Sequence, residues 1–179
     1  MTILALVGMP GSGKSTAAKI FQERGFTIVR FGDVTDDEMK RRGLALTQEN
    51  ERIVRESLRA EIGMHAYAAL NLPRIKAAGD RVVLDGMRSM EEYAYLREKL
   101  SDFFIVAIHT PMKTRHERLL GRKERGMTED VAIARDKAEI EKLNLLGPIA
   151  HADFTIINDG DLENLKKRTD YVLAQIENA

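Results

Sequence analysis

Short apolar runs alternate with amphipathic stretches along the chain, and each run is too brief for anything but a strand. Residues 3–7, Ile-Leu-Ala-Leu-Val, are apolar without interruption, as expected of a strand covered on both faces. A helix is predicted from 13 to about 24, with Gly25 as its stop, and 27–29 reads as a second strand. A short polar helix closed by Gly43 follows. Thr47 then has the chemistry of an N-cap for one long helix whose Ile53, Leu58, Ile62 and Ala66 would share a face.

Gly79-Asp80 turns the chain into a third strand at 82–84, and Ser89 can cap a helix to about Leu100. Residues 103–108 form a fourth strand whose unbroken apolar character makes it central. Helices over about 113–125 and 128–143 follow, before Gly147-Pro148 interrupts the pattern. A fifth strand is expected at 154–157. Asp161 would then cap a last helix with Leu162, Leu165, Val172 and Ile176 inward. Strands alternating with helices imply an α/β fold with a parallel sheet covered on both sides.

With 179 residues and no repeat or linker, a single domain is expected. Lysine plus arginine and aspartate plus glutamate both number 28, so the formal net charge is zero. That balance argues against a dedicated nucleic-acid or membrane-surface binder. Without cysteine there is no disulfide framework and no thiolate-bound zinc. Met1 leads directly into the first strand with no basic leader, so the cytoplasm is the expected compartment.

The chemistry concentrates at Gly8-Met9-Pro10-Gly11-Ser12-Gly13-Lys14-Ser15, a full Walker A match between the first strand and the first helix. Its glycines let backbone N–H groups approach phosphate oxygens, and the helix N-terminus adds partial positive charge. Lys14 can bridge the β- and γ-phosphates of ATP, Ser15 is the expected Mg2+ ligand, and Thr16 can support the α- or β-phosphate. A GTPase would need an Asn-Lys-x-Asp base-reading motif, which the chain lacks.

Arginines stand where they could surround phosphates. Arg88 closes a turn at the carboxyl edge of the sheet, beside Asp85, a Walker B-like candidate for holding magnesium through water. Arg52, Arg55 and Arg59 line one helix stripe. Arg52 reads as a solvated partner of Glu56, while Arg55 and Arg59 suit either a solvated face or a binding face. Arg115, Arg118 and Arg122, with Arg135 beyond, suggest a lid over polyphosphate. His65, His109 and His151 have no catalytic or metal-binding partner at recognisable spacing and read as core or surface residues.

These residues resemble nucleoside monophosphate kinases, and more closely the archaeal adenylate-kinase-related kinases, akin also to dephospho-coenzyme A kinase. The resemblance spans nearly the whole chain. It is carried by the phosphate loop, Phe31-Gly32-Asp33-Val34, Asp85-Gly86-Met87-Arg88-Ser89, Arg118-Leu119-Leu120-Gly121-Arg122, Arg135-Asp136 and Asn158-Asp159-Gly160. It implies a three-layer α/β/α P-loop fold with five parallel strands in the order 2-3-1-4-5. It also implies an acceptor-binding helical segment at 33–72 and a short arginine lid at 122–136. By position, Arg88 would hold the acceptor phosphate, helped by Arg55 and Arg59. Arg118 would stack on the donor base with Asn158 bordering it, and Arg122 and Arg135 would enclose the transferred phosphoryl. Glu92 stands where adenylate kinases carry a base-reading glutamine.

Relatives commonly place an arginine after the Gly-Asp pair, whereas this chain reads Thr35-Asp36-Asp37. The expected function is ATP- and magnesium-dependent phosphoryl transfer to a small acceptor, foremost a nucleoside monophosphate such as AMP. An alcohol acceptor such as dephospho-coenzyme A stays open and would need a general base, for which Asp33 is placed. A nucleotide-binding regulatory module with weak ATPase activity is the third reading.

Overall fold

The computed structural model describes residues 1–121 and 128–178. Five strands, β1 (Thr2–Val7), β2 (Thr27–Arg30), β3 (Arg81–Asp85), β4 (Phe103–His109) and β5 (Phe154–Ile157), form one parallel sheet in the order β2-β3-β1-β4-β5. Its central strand β1 alternates as a doubly covered strand must. Ile3, Ala5 and Val7 join one core, and Leu4 and Leu6 join the other.

The first core is covered by α3 (Gln48–Ile62), α4 (Ala66–Ala77) and α5 (Met90–Lys99), through Val54, Leu58, Ala68, Ile75 and Leu96. The second lies under α1 (Lys14–Glu23) and α9 (Leu162–Glu177), through Ile20, Phe21, Leu165 and Val172. This gives a three-layer α/β/α arrangement. Of the remaining helices, α2 (Asp33–Arg41) and α6 (Met112–Leu120) follow the carboxyl ends of β2 and β4, while α7 (Glu129–Glu141) and α8 (Leu146–Ala150) lead back to β5. No helix among the described residues is long and apolar enough to cross a membrane.

Side-chain caps fix several helix starts. Thr47, Thr128 and Asp161 each accept from the backbone N–H three residues on, and Ser89 with Glu92 forms a reciprocal capping box. The long helix expected from Thr47 to Ala66 is instead two. Gly63, at φ 106°, ends α3, and α4 continues through Pro73. The buried stripe of α3 is Val54 and Leu58, whereas Ile53 is 45 % and Ile62 36 % exposed.

Gly147-Pro148 lies inside α8 rather than breaking the pattern. Pro148 occupies the first turn, where a backbone N–H has no helical partner to lose. In α9 the inward face begins at Leu165, since Leu162 is 50 % exposed. The end of the helix expected over 113–125 lies outside the described residues.

Leu84 is fully buried in β3. Leu84→Ala is expected to lower the unfolding free energy in urea by about 2–5 kcal/mol. The same change at half-exposed Leu162 should stay within about 0.5 kcal/mol.

Candidate active site

β1 ends at Val7 and delivers the glycine-rich loop to α1, so the loop sits at the carboxyl edge of a parallel sheet. Gly13, the N-cap, has φ 97°, and Gly11 has φ 79°. A Cβ on Gly11 would come within 2.6 Å of the Arg115 carbonyl oxygen, so this tight course excludes side chains. No side chain caps α1 and its first turn carries no acid. Its leading N–H groups and the positive end of its dipole are thereby kept for an anion.

The loop is pinned from behind. The Ser12 carbonyl accepts from Asn158 Nδ2 at 2.8 Å and lies 3.0 Å from Thr110 Oγ1, whose single O–H is shared between it and the Asn158 carbonyl. Asn158 further lines a recess of about 280 Å3 beside α1 with Thr16, Gly13 and Arg118.

Lys14 Nζ donates to the carbonyls of Gly8 at 2.7 Å and Met9 at 3.2 Å. Burial lowers its pKa from 10.5 to about 8, and the nearby Arg88 charge adds to the fall, while Asp85 and Glu139 oppose it. Ser15 Oγ donates to Asp85 Oδ2 at 3.0 Å. Hydroxyl, carboxylate and ammonium therefore border one cleft of about 320 Å3, together with Arg88, Arg135 and Glu139. That donor set suits a magnesium triphosphate. A hard cation would find oxygen ligands in Ser15 and Asp85, and the loop amides with Lys14 would face the phosphates.

A second cleft, of about 290 Å3, is lined by Thr35, Asp36, Arg55, Arg59 and Tyr67. It shares Arg30, Gly32, Gly86 and Arg88 with the phosphate cleft, so the two adjoin. Arg88 donates to Glu139 at 2.8 Å. Arg59 lies over the Tyr67 ring at 5.0 Å, and Tyr67 and Thr35 share a 2.6 Å hydrogen bond between hydroxyls. Arg55 donates to Glu51 at 3.2 Å.

The structure brings Lys14, Ser15, Asp85, Arg88 and Arg135 to one cleft and Arg55 and Arg59 to its neighbour. Asp33 lines neither; its carboxylate sits 3.3 Å from Arg30. Glu92 does not reach a cleft either, which removes the base-reading placement. It is 1 % exposed and accepts from the backbone N–H groups of Arg88 at 2.7 Å and Ser89 at 3.3 Å, with Arg59 at 3.8 Å.

Arg115 is not a lid cation. It is buried, donating to the Pro10 carbonyl and to both carboxylate oxygens of Asp136, and so ties α7 to the phosphate loop. Arg122 lies outside the described residues.

Arg30, Thr110, His116 and Glu139 were not singled out from sequence. Arg30 and Thr110 each stand at or just past a strand's carboxyl end, which is a usable signal. Glu139 falls four residues after Arg135 on one helix face. His116, buried 3.1 Å from Asp136, has no such signature.

Residues 4–143 match the AAA domain family. A UPF0200 protein of Thermococcus gammatolerans is 38% identical over 183 residues, covering 97% of this chain and 95% of that protein. Among solved structures, TT1252 from Thermus thermophilus superposes with a TM-score of 0.71 at 18% identity, covering 97% of both chains. Shikimate kinase from Bacteroides thetaiotaomicron gives 0.65 at 14%, covering 98% of both. Likeness at such identities carries the fold alone.

Burial raises the Glu92 pKa to about 7 from the usual 4.5, against the opposing pull of the Arg88 N–H and the Arg59 charge. The folded state thus holds a proton that the unfolded state releases between those values. Stability from this group is full below pH 4.5 and is lost as pH rises through about 7. Glu92→Gln removes the titration, so urea denaturation should show the variant gaining on the wild type across that window. Parallel pH profiles would contradict it.

Proposed function

Because the chain belongs to the UPF0200 family and carries the AAA domain on a P-loop kinase fold, we propose that it transfers the terminal phosphoryl of a magnesium nucleoside triphosphate to a small anionic acceptor. A nucleoside monophosphate such as AMP is the acceptor we favour. The observation that carries this reading is that Arg88 belongs to both clefts, so one guanidinium borders the donor's phosphates and the acceptor at once.

In this account the α1 amides and Lys14 hold the β- and γ-phosphates, with Lys14 exchanging its loop carbonyls for phosphate oxygens. Ser15 and Asp85 hold the magnesium ion, which when bound neutralises charge on those oxygens. The donor base occupies the recess at Thr16, Arg118 and Asn158. Arg88, Arg55, Arg59 and Arg30 receive the acceptor, so Arg30 restores from β2 the cation that Asp36 does not supply. Arg135 faces the transferred group, with Arg122 assigned beside it by the resemblance. Preorganised cations spread the charge of the loose transition state, which is where such enzymes lower the barrier.

A phosphate acceptor is favoured over an alcohol by the position of Asp33. An alcohol needs a base, and Asp33 is turned to Arg30 outside both clefts. The segment 33–72 is the acceptor-binding part of a single domain and 122–136 its lid.

The test is product analysis by mass with magnesium ATP and each of the nucleoside monophosphates, dephospho-coenzyme A, or water. A diphosphate from one monophosphate is the expected result; a phosphorylated alcohol, or hydrolysis alone, would contradict it. Arg88→Gln should lower kcat/KM by about 100-fold or more.

A further inference from the structure

A third space opens beyond the acceptor cleft, between α3 and α7, with a volume of about 420 Å3. Among the described residues, the cations Arg52, Arg55, Arg59, Arg135 and Lys142 line it with the carboxylates Glu56 and Glu139. It is continuous with the sites already described. Arg55, Arg59 and Leu143 also line the acceptor cleft, and Arg135 and Glu139 also line the phosphate cleft.

Two polar atoms on its lining residues are buried without a hydrogen-bond partner: Arg59 Nε, a donor, and Glu139 Oε2, an acceptor. Glu139 is 6 % exposed, and its other oxygen is held by Arg88. Buried groups of this kind are nearly always satisfied in the working state of a protein. Met64 and Leu143 give the space an apolar wall. At its outer end Arg52 meets Glu56 only at 3.9 Å, and Lys142 has no ion-pair partner among the described residues.

We propose that this space is a second acceptor subsite, which takes a sugar portion carrying another phosphate. The hydroxyl of such a portion donates to Glu139 Oε2, an oxygen accepts from Arg59 Nε, and the second phosphate reaches Arg52 and Lys142. The acceptor class is therefore a nucleotide with anionic groups at two separated positions, of which only one meets Arg88. This rests on the phosphotransfer reading for the orientation of the acceptor, but the binding it demands can be measured without turnover.

The probes are AMP and adenosine 3′,5′-bisphosphate, which differ by one phosphate, titrated calorimetrically into the wild type, Arg52→Gln and Lys142→Gln. The wild type should bind the bisphosphate about tenfold more tightly than AMP. Either substitution should remove most of that difference and leave the affinities for AMP and magnesium ATP unchanged. Equal affinity of the wild type for both probes, failure to bind the bisphosphate, or equal weakening of AMP in the variants would overturn the subsite. Absence of any phosphorylated product, with the bisphosphate preference intact, would instead count against phosphotransfer and leave the subsite standing.

Discussion

Concentration of positive charge around one buried ammonium is the constraint on which the rest of the site depends. Lys14 is desolvated and shares its cleft with Arg88 and Arg135, and among the described residues Asp85 and Glu139 are the carboxylates that line it. Like charges so close in a low-dielectric site repel unless an anion lies among them. Burial first, and the Arg88 charge beside it, lower the Lys14 pKa, and in the proposed function a polyphosphate would relieve that repulsion. The parallel sheet makes the crowding possible, since every strand end it gathers points loops at one edge.

Secondary contacts hold that edge in shape. Ser12 is gripped from β4's end by Thr110 and from β5's end by Asn158, so two side chains brace the loop's backbone from behind. Arg115 and His116 meet at Asp136 and join α7 to the loop's outer side. Glu92, beneath the surface, fixes the Arg88 turn through two N–H groups and faces Arg59. One buried carboxylate thereby couples the phosphate side to the acceptor side.

The strand pattern was legible because β1 and β4 carry long apolar runs and the shorter β2, β3 and β5 each hold an apolar centre set off by glycine or polar turns. The phosphate loop was legible because its backbone demands glycine at fixed spacing. Asp85 and Arg88 could be placed because a strand end is visible in sequence. Glu92 could not be placed, because the same glutamate three residues after Ser89 serves equally as a capping-box partner, and only tertiary packing shows that it is buried there. Glu139 and Arg30 were passed over because their importance comes from contacts across 51 residues for Glu139 to Arg88, and from the meeting of two clefts for Arg30. Arg115 read as a lid cation because helical spacing gives the face it shares, not the depth at which that face lies. The α3–α4 boundary was missed because Ile53, Leu58, Ile62 and Ala66 keep helical spacing across Gly63, whose φ of 106° ends α3.

The central claim is that the donor and acceptor clefts form one site joined at Arg88. Its most direct test is the affinity of two adenosines linked through five phosphates, compared with that of ATP, for the wild type and Arg88→Gln. A continuous site predicts binding tighter than ATP by about 100-fold or more, because linkage makes the second contact intramolecular. Arg88→Gln should remove most of that advantage. Binding no tighter than ATP would show that the two clefts do not act as one site.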